Sequence, residues 1–193
     1  TNNDFSGYVG VYEAVEDGDG GMTSWQKVGQ NIDGENEDDL SGWSVSLSAD
    51  GRIVAIGAVW NDDGGEDSGH ARIYTLIDGE WEKLGQDIDG QNPGDEFGTS
   101  VSISSDGLTV AVGAPYNNDN GDFSGKVQVY RLNNGEWAQV GQDLIGAAIE
   151  DRSGWSVSLS NDGNTLAIGA LENDNDNGDD AGHVRVYRLV GPD

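Results

Sequence analysis

The chain has 193 residues, room for one large domain or two small ones. Its 36 acidic residues against 9 basic give a formal net charge of −27, a surface that repels nucleic-acid phosphates and anionic lipid and attracts cations. It has no Cys, which excludes disulfides and Cys-ligated zinc, and no apolar run approaches the ~18 residues of a membrane-spanning helix.

Thirty-one glycines and the lack of sustained helical periodicity predict strands joined by turns. The first predicted strand lies in SGYVGVYEA from Ser6, and an acidic Gly-rich insertion near Asp17–Gly21 separates it from a second that carries Trp25. A complete unit of four strands, A to D, follows. In strand A, Trp43, Val45 and Leu47 alternate with Ser44, Ser46 and Ser48, the period-2 pattern of a half-polar strand. The small Ser face suits an innermost, crowded position. Asp50-Gly51 closes a tight hairpin. Strand B, Ile53 to Ala58, is apolar on both faces and predicts burial on both sides. An acidic loop, Asn61–Asp67, leads to strand C, Ala71–Leu76, and Asp78-Gly79 turns into strand D, which begins at Trp81.

The next unit repeats the phrase. GTSVSISSDGLTVAVGA from Gly98 holds strands A and B, Asn117–Asp122 is the loop, Val127–Leu132 is strand C, and Asn134-Gly135 leads to strand D at Trp137. The last unit holds GWSVSLSNDGNTLAIGA from Gly154, the loop Asn173–Asp180 and strand C at Val184–Leu189. Trp25, Trp81 and Trp137 fix the period at 56 residues, as do Gly29, Gly85 and Gly141. Four short antiparallel strands per repeat, with strand B covered on both faces, imply small sheets stacked face to face: an all-β array of β-propeller-like blades. The boundaries read as a partial blade at 1–37, blades at 38–93 and 94–149, and a partial blade at 150–193. The count of thirteen strands, starting and ending on C, predicts a partial propeller or stacked repeat array rather than a closed ring.

Phe97-Gly98 and, after strand B, Gly113-Ala114-Pro115 resemble the FG-GAP repeat of integrin-α-type propellers. The other units keep Gly42, Gly57 and Ala58, and Gly154, Gly169 and Ala170. The resemblance covers almost the whole chain and implies the propeller fold. That family often holds calcium between its first two strands. Here the connection is only Ser48-Ala49-Asp50-Gly51, so the family's metal site does not carry over.

Calcium would have to use the B–C loops instead, where Asp, Asn and backbone oxygens supply hard ligands. The candidate ligands are Asp4, Asn61, Asp63, Glu66, Asn117, Asp119, Asp122, Asn173, Asn175, Asn177 and Asp179. Asn173, Asn175, Asn177 and Gly178 follow the spacing that begins many calcium loops, without the Glu that would complete an EF-hand. Asn, Asp and Gly are also ordinary turn formers, and that reading stands beside the calcium one. A second acidic column, Asp39, Asp95 and Asp151, is expected to cap turns before strand A. The Trp column is expected to pack between blades, and Trp60 to be the exposed aromatic. His70 and His183 are expected to start strand C facing solvent, with Lys126 in their place in the middle unit.

No nucleophile elbow, phosphate loop or isolated carboxylate pair stands out, so no catalytic residue is expected and the chain reads as no enzyme. The expected function is a structural or adhesive module of an extracellular or cell-surface protein. Its partners would be other proteins, or further copies or blades of the same chain, and neither nucleic acid nor inserted membrane. A glycan-binding propeller and the propeller part of a larger secreted enzyme are the alternatives.

Overall fold

The computed structural model describes residues 5–174 and 178–189, which are all-β with no helix. The first sheet pairs β1 (Tyr8–Glu16) with β2 (Met22–Asp33). The second contains β3 (Ser44–Leu47), β4 (Ile53–Ala58), β5 (His70–Ile77), β6 (Glu80–Lys83) and β7 (Ile88–Asp89). The third repeats it with β8 (Ser100–Ile103), β9 (Thr109–Ala114), β10 (Lys126–Asn133), β11 (Glu136–Gln139) and β12 (Leu144–Ile145). The fourth has β13 (Ser153–Leu159), β14 (Thr165–Ala170) and β15 (His183–Arg188). All strand pairs within the sheets are antiparallel, and all but β5–β7 and β10–β12 join strands consecutive in the chain. Strand D is broken in both full sheets: β6 and β7 both pair with β5, and β11 and β12 both pair with β10. The break falls at Gly85 and Gly141, and it accounts for fifteen segments where the sequence count expects thirteen.

The A–B hairpin is closed by the same side chains each time. Asp50 Oδ1 accepts the Ser48 hydroxyl at 2.7 Å and the Arg52 N–H at 3.0 Å, while Ser48 Oγ accepts the Ile53 N–H. Ser104 with Asp106, and Ser160 with Asp162, repeat the arrangement. These carboxylates are held below the usual range, first by the Ser hydroxyl and then by the backbone N–H. The turn is thus closed on itself.

Sheets stack face to face, and each interface has its own apolar cluster. Val54 and Ile56 of β4 face the first sheet and meet Val11, Ile32 and Trp81. Ala55 faces the third sheet with Ile73, Phe97, Val110 and Val112. Ala111 of β9 meets Leu166 and Ile168 of the fourth sheet. The expected two-sided burial of strand B therefore holds for β4 and β9. β14 alternates between buried and half-buried, because the fourth sheet is covered on one face alone. The Ser faces of the inner strands bridge blades: Ser44 Oγ–H donates to Gly98 O and Ser100 Oγ–H to Gly154 O, both at 2.7 Å. A Cβ on Gly57 would come within 2.1 Å of Gly98 O, so only Gly permits this approach.

Candidate functional site

Two places depart from the repeat: one rim position on the second sheet, and the two outer ends of the stack. The rim position is built where the B–C loop meets the start of strand C. In the third sheet, Lys126 begins β10 with its side chain 3 % exposed, and its Nζ lies 3.2 Å from Asp119 Oδ2 and 3.8 Å from Asp95 Oδ2. In the second sheet His70 takes that place, facing Asp63 of its own B–C loop and Glu35 from the connection out of the first sheet. One ligand atom from each of Glu35, Asp63 and His70 lies within 4.8 Å of the others.

His70 is fully buried, not solvent-facing as its sequence position suggested, because Phe97 and the strand-A connection of the next sheet close over the start of β5. Neither ring nitrogen has a hydrogen-bond partner. Burial, and then the Arg72 guanidinium, lower its pKa and favour the neutral imidazole. Arg72 Nη1 also pairs with Glu35 Oε1 at 3.0 Å and so fixes that carboxylate. Asp89, opposite His70 in the ladder, is raised by burial and by the neighbouring carboxylates Asp87, Asp63 and Glu35. His183, the third member of the column, is half-buried.

The loop residues expected as calcium ligands divide into two groups. Asn61 and Asn117 are wholly buried and Asn173 nearly so, and their side-chain amides donate to Asp39, Asp95 and Asp151. Asn61 and Asn117 also accept the N–H of Asp63 and Asp119. Asp151 accepts the N–H groups of Ala147 and Ala148, and Asp39 that of Asn36. The acidic column before strand A therefore caps turns, as expected, and its partner is the Asn column. Asp63, Glu66, Asp119, Asp122 and Asp179 are exposed, and Asp119 holds Lys126. Asp4, Asn175 and Asn177 lie outside the described residues.

At the ends of the stack, the Trp column shows what each face expects. Trp81 and Trp137 are each 4 % exposed. Their indole N–H groups donate to Val28 O at 2.9 Å and Leu84 O at 2.7 Å, on strand D of the preceding sheet. Gln30 and Gln86 clamp their backbones, each side-chain amide making two hydrogen bonds. The ring sits over Gly29 or Gly85, where a Cβ would meet it at 2.8 Å. Trp25 has no such partner and is 64 % exposed, so it and Trp43 at 57 % are more open than Trp60 at 43 %. The third copy of the socket, Val140-Gly141-Gln142, receives no ring: nothing lies within 4 Å of a Cβ built on Gly141. Instead it borders a cavity of about 200 Å³ lined by Val129, Leu159, Leu166 and Tyr187. Val184 and Val186 on the outer face of the fourth sheet are each 67 % exposed. At the other end, Val45 and Leu47 are open at 53 % and 48 %, whereas their counterparts Val101 and Ile103 are buried.

This architecture has solved counterparts. The chain is similar to a putative 6-phosphogluconolactonase from Bacteroides uniformis, with a TM-score of 0.59 and 16% identity over 93% of this chain and 44% of that one. It is also similar to the periplasmic gluconolactonase PpgL of Pseudomonas aeruginosa, with a TM-score of 0.50 and 19% identity over 94% of this chain and 50% of that one. The chain thus spans half or less of the length of these structures. At such identities the likeness concerns the fold alone. It nevertheless corrects the expectation of no enzyme: the architecture is one shared with a putative 6-phosphogluconolactonase and a gluconolactonase. The absence of an obvious acid–base pair in so acidic a sequence was no ground for excluding catalysis. No curated protein sequence matches the chain. The FG-GAP repeat model matches three times, at residues 32–74, 88–130 and 146–187. Each match runs through a strand A–B hairpin into strand C, and together they take in most of the sequence: the chain belongs to the FG-GAP repeat family.

Proposed function

We propose that the chain is a propeller segment whose task is assembly, receiving a Trp-bearing strand D of its own repeat type at the Val140-Gly141-Gln142 socket. The observation that carries this reading is the contrast within one column. The same Gly-and-Gln socket is filled by Trp81 and Trp137, and is open at Gly141. A strand beside β15 that placed a Trp there would also cover the apolar cavity next to it. Such a strand would stand as strand D of the fourth sheet, and the open row of β3 at the other end suits a further pair of strands of the same repeat. A structural or adhesive role at a cell surface fits such a module, and a charge of −27 is tolerated best in a salty extracellular medium, where screening is strong.

The test is binding in trans. A fluorescein-labelled peptide with the sequence of residues 133–145, which spans strand D of the third sheet, is titrated with the chain and followed by anisotropy. Saturable binding that is lost when the peptide's Trp is replaced by Ala supports the socket. Equal behaviour of the two peptides, or no binding by either, overturns it.

A further inference from the structure

We propose that Glu35, Asp63 and His70 form a binding site for a divalent transition cation, with Zn²⁺ favoured by the donor set. One imidazole nitrogen and two carboxylate oxygens are ligands for zinc and its neighbours, whereas an imidazole is a poor ligand for calcium. The carboxylate cluster does not stand alone. His70 is fully buried, both its nitrogens lack partners, and one of them lies within 4.8 Å of both carboxylates.

The repeat supplies an independent argument. In the third sheet the same spot is filled by a cation of the protein's own, the Lys126 ammonium, held by Asp119. Asp63 is the counterpart of Asp119, one period earlier. His70 replaces the ammonium with a neutral base, while Glu35 stands where the next unit has Gln91. Arg72 stands where the next unit has Gln128 and offsets Glu35, so the second sheet is one positive charge short of the third at this point. Asp89, where the next unit has Ile145, adds a further carboxyl, while the nearby cations Arg72 and Lys83 are already paired with Glu35 and Asp87. A bound dication restores what Lys126 provides one blade later.

The geometry permits it. Ligands about 2.0–2.1 Å from a tetrahedral zinc sit roughly 3.4 Å apart. Asp63 is exposed and closes to that spacing by side-chain rotation, while Glu35, held by Arg72, and buried His70 form the fixed wall. Arg72 occupies Oε1 of Glu35 and leaves the second oxygen for the metal. Water completes the shell from the solvent side. Because Glu35 belongs to the connection leaving the first sheet and His70 to the second, the ion would tie two neighbouring blades together.

The experiment is a Zn²⁺ titration of the whole chain in excess Mg²⁺, which occupies the other carboxylates, followed by calorimetry and by the imidazole ¹⁵N signals. With two histidines in the chain, His183 is the internal control. The expected result is one saturable site, a shift confined to the His70 ring, and a higher melting temperature. His70→Lys, which installs the ammonium of the next repeat, is expected to fold and to weaken binding at least about tenfold, as is Glu35→Gln. The proposal is overturned if no imidazole signal moves, if both move alike, or if His70→Lys binds Zn²⁺ as the wild type does. Should His70→Lys fail to fold, the ring signals of the wild type decide alone.

Discussion

Replacing Trp81 by Ala should destabilise the isolated chain far more than replacing Trp25 by Ala, although the two residues occupy the same repeat position. An aromatic side chain of this size buries about 200 Å², worth roughly 5 kcal/mol at about 25 cal/mol per Å². Trp81 is 4 % exposed and loses nearly all of that on truncation, so about 4–5 kcal/mol is expected once the cavity it leaves is included. Truncation also orphans the Val28 carbonyl that its indole N–H reaches. Trp25 is 64 % exposed, retains about a third of the burial and has less than roughly 2 kcal/mol to lose. The gap of about 3 kcal/mol is two decades in the folding equilibrium. Urea unfolding followed by circular dichroism measures it, since the signal does not depend on the Trp removed. Equal losses for the two variants would refute the claim that this Trp stabilises only through the blade before it.

The Gly column allows a matched pair. Ala at Gly141 meets open space and incurs mainly the left-handed backbone cost of about 1 kcal/mol, whereas Ala at Gly29 also runs into the Trp81 ring and should cost roughly 1–3 kcal/mol more by thermal or urea unfolding. The same Gly141→Ala change should abolish binding of the strand-D peptide in the anisotropy assay. Lys126→Met should cost about 3 kcal/mol in urea, because it leaves the buried Asp95 carboxylate without its ammonium, although the amides of Asn92 and Asn117 remain. The turn carboxylates Asp50, Asp106 and Asp162 have pKa values lowered by folding. Their contribution is therefore present at neutral pH and lost as pH falls below the ordinary value of 3.8 through the folded one. Melting temperature against pH should drop more steeply at the acid end for the wild type than for the triple Asp→Asn variant.

Much of this was readable from spacing. The period, the four-strand unit and the two-sided burial of strand B follow from recurring Trp, Gly and Val-rich landmarks, since each recurrence must answer to the same packing. The capping role of Asp39, Asp95 and Asp151 was also legible. Its partner was not, because Asn61, Asn117 and Asn173 lie 22 residues away and look like turn residues. The acidic loops suggested calcium ligands by composition, yet Asn61, Asn117 and Asn173 spend their side chains inside the protein. His70 was misread because strand position does not reveal what the next blade lays over it. The signal that could have found it is a swap within a column: imidazole against ammonium, opposite an aspartate at a fixed distance along the chain. Glu35 carried no signal, for it has no acidic counterpart in the later units. The exposure of Trp25 depends on which neighbour a blade has, and a column of identical residues cannot show that.

The hydrogen bonds between blades have one more consequence. The bonds that recur from sheet to sheet span 51, 53, 54 or 57 residues, and Arg72 reaches Asp33 across 39, so each of these bonds joins a blade to the one beside it. The innermost hairpins keep the same step: Ala49 N–H donates to Ser105 O, and Ser105 N–H to Asn161 O. Excising 56 residues between any two equivalent points would bring matching partners back into contact. Unequal crossing-over in the gene can therefore lengthen or shorten this protein by whole blades without passing through a sequence that cannot fold, and array length is open to selection in quanta of one repeat.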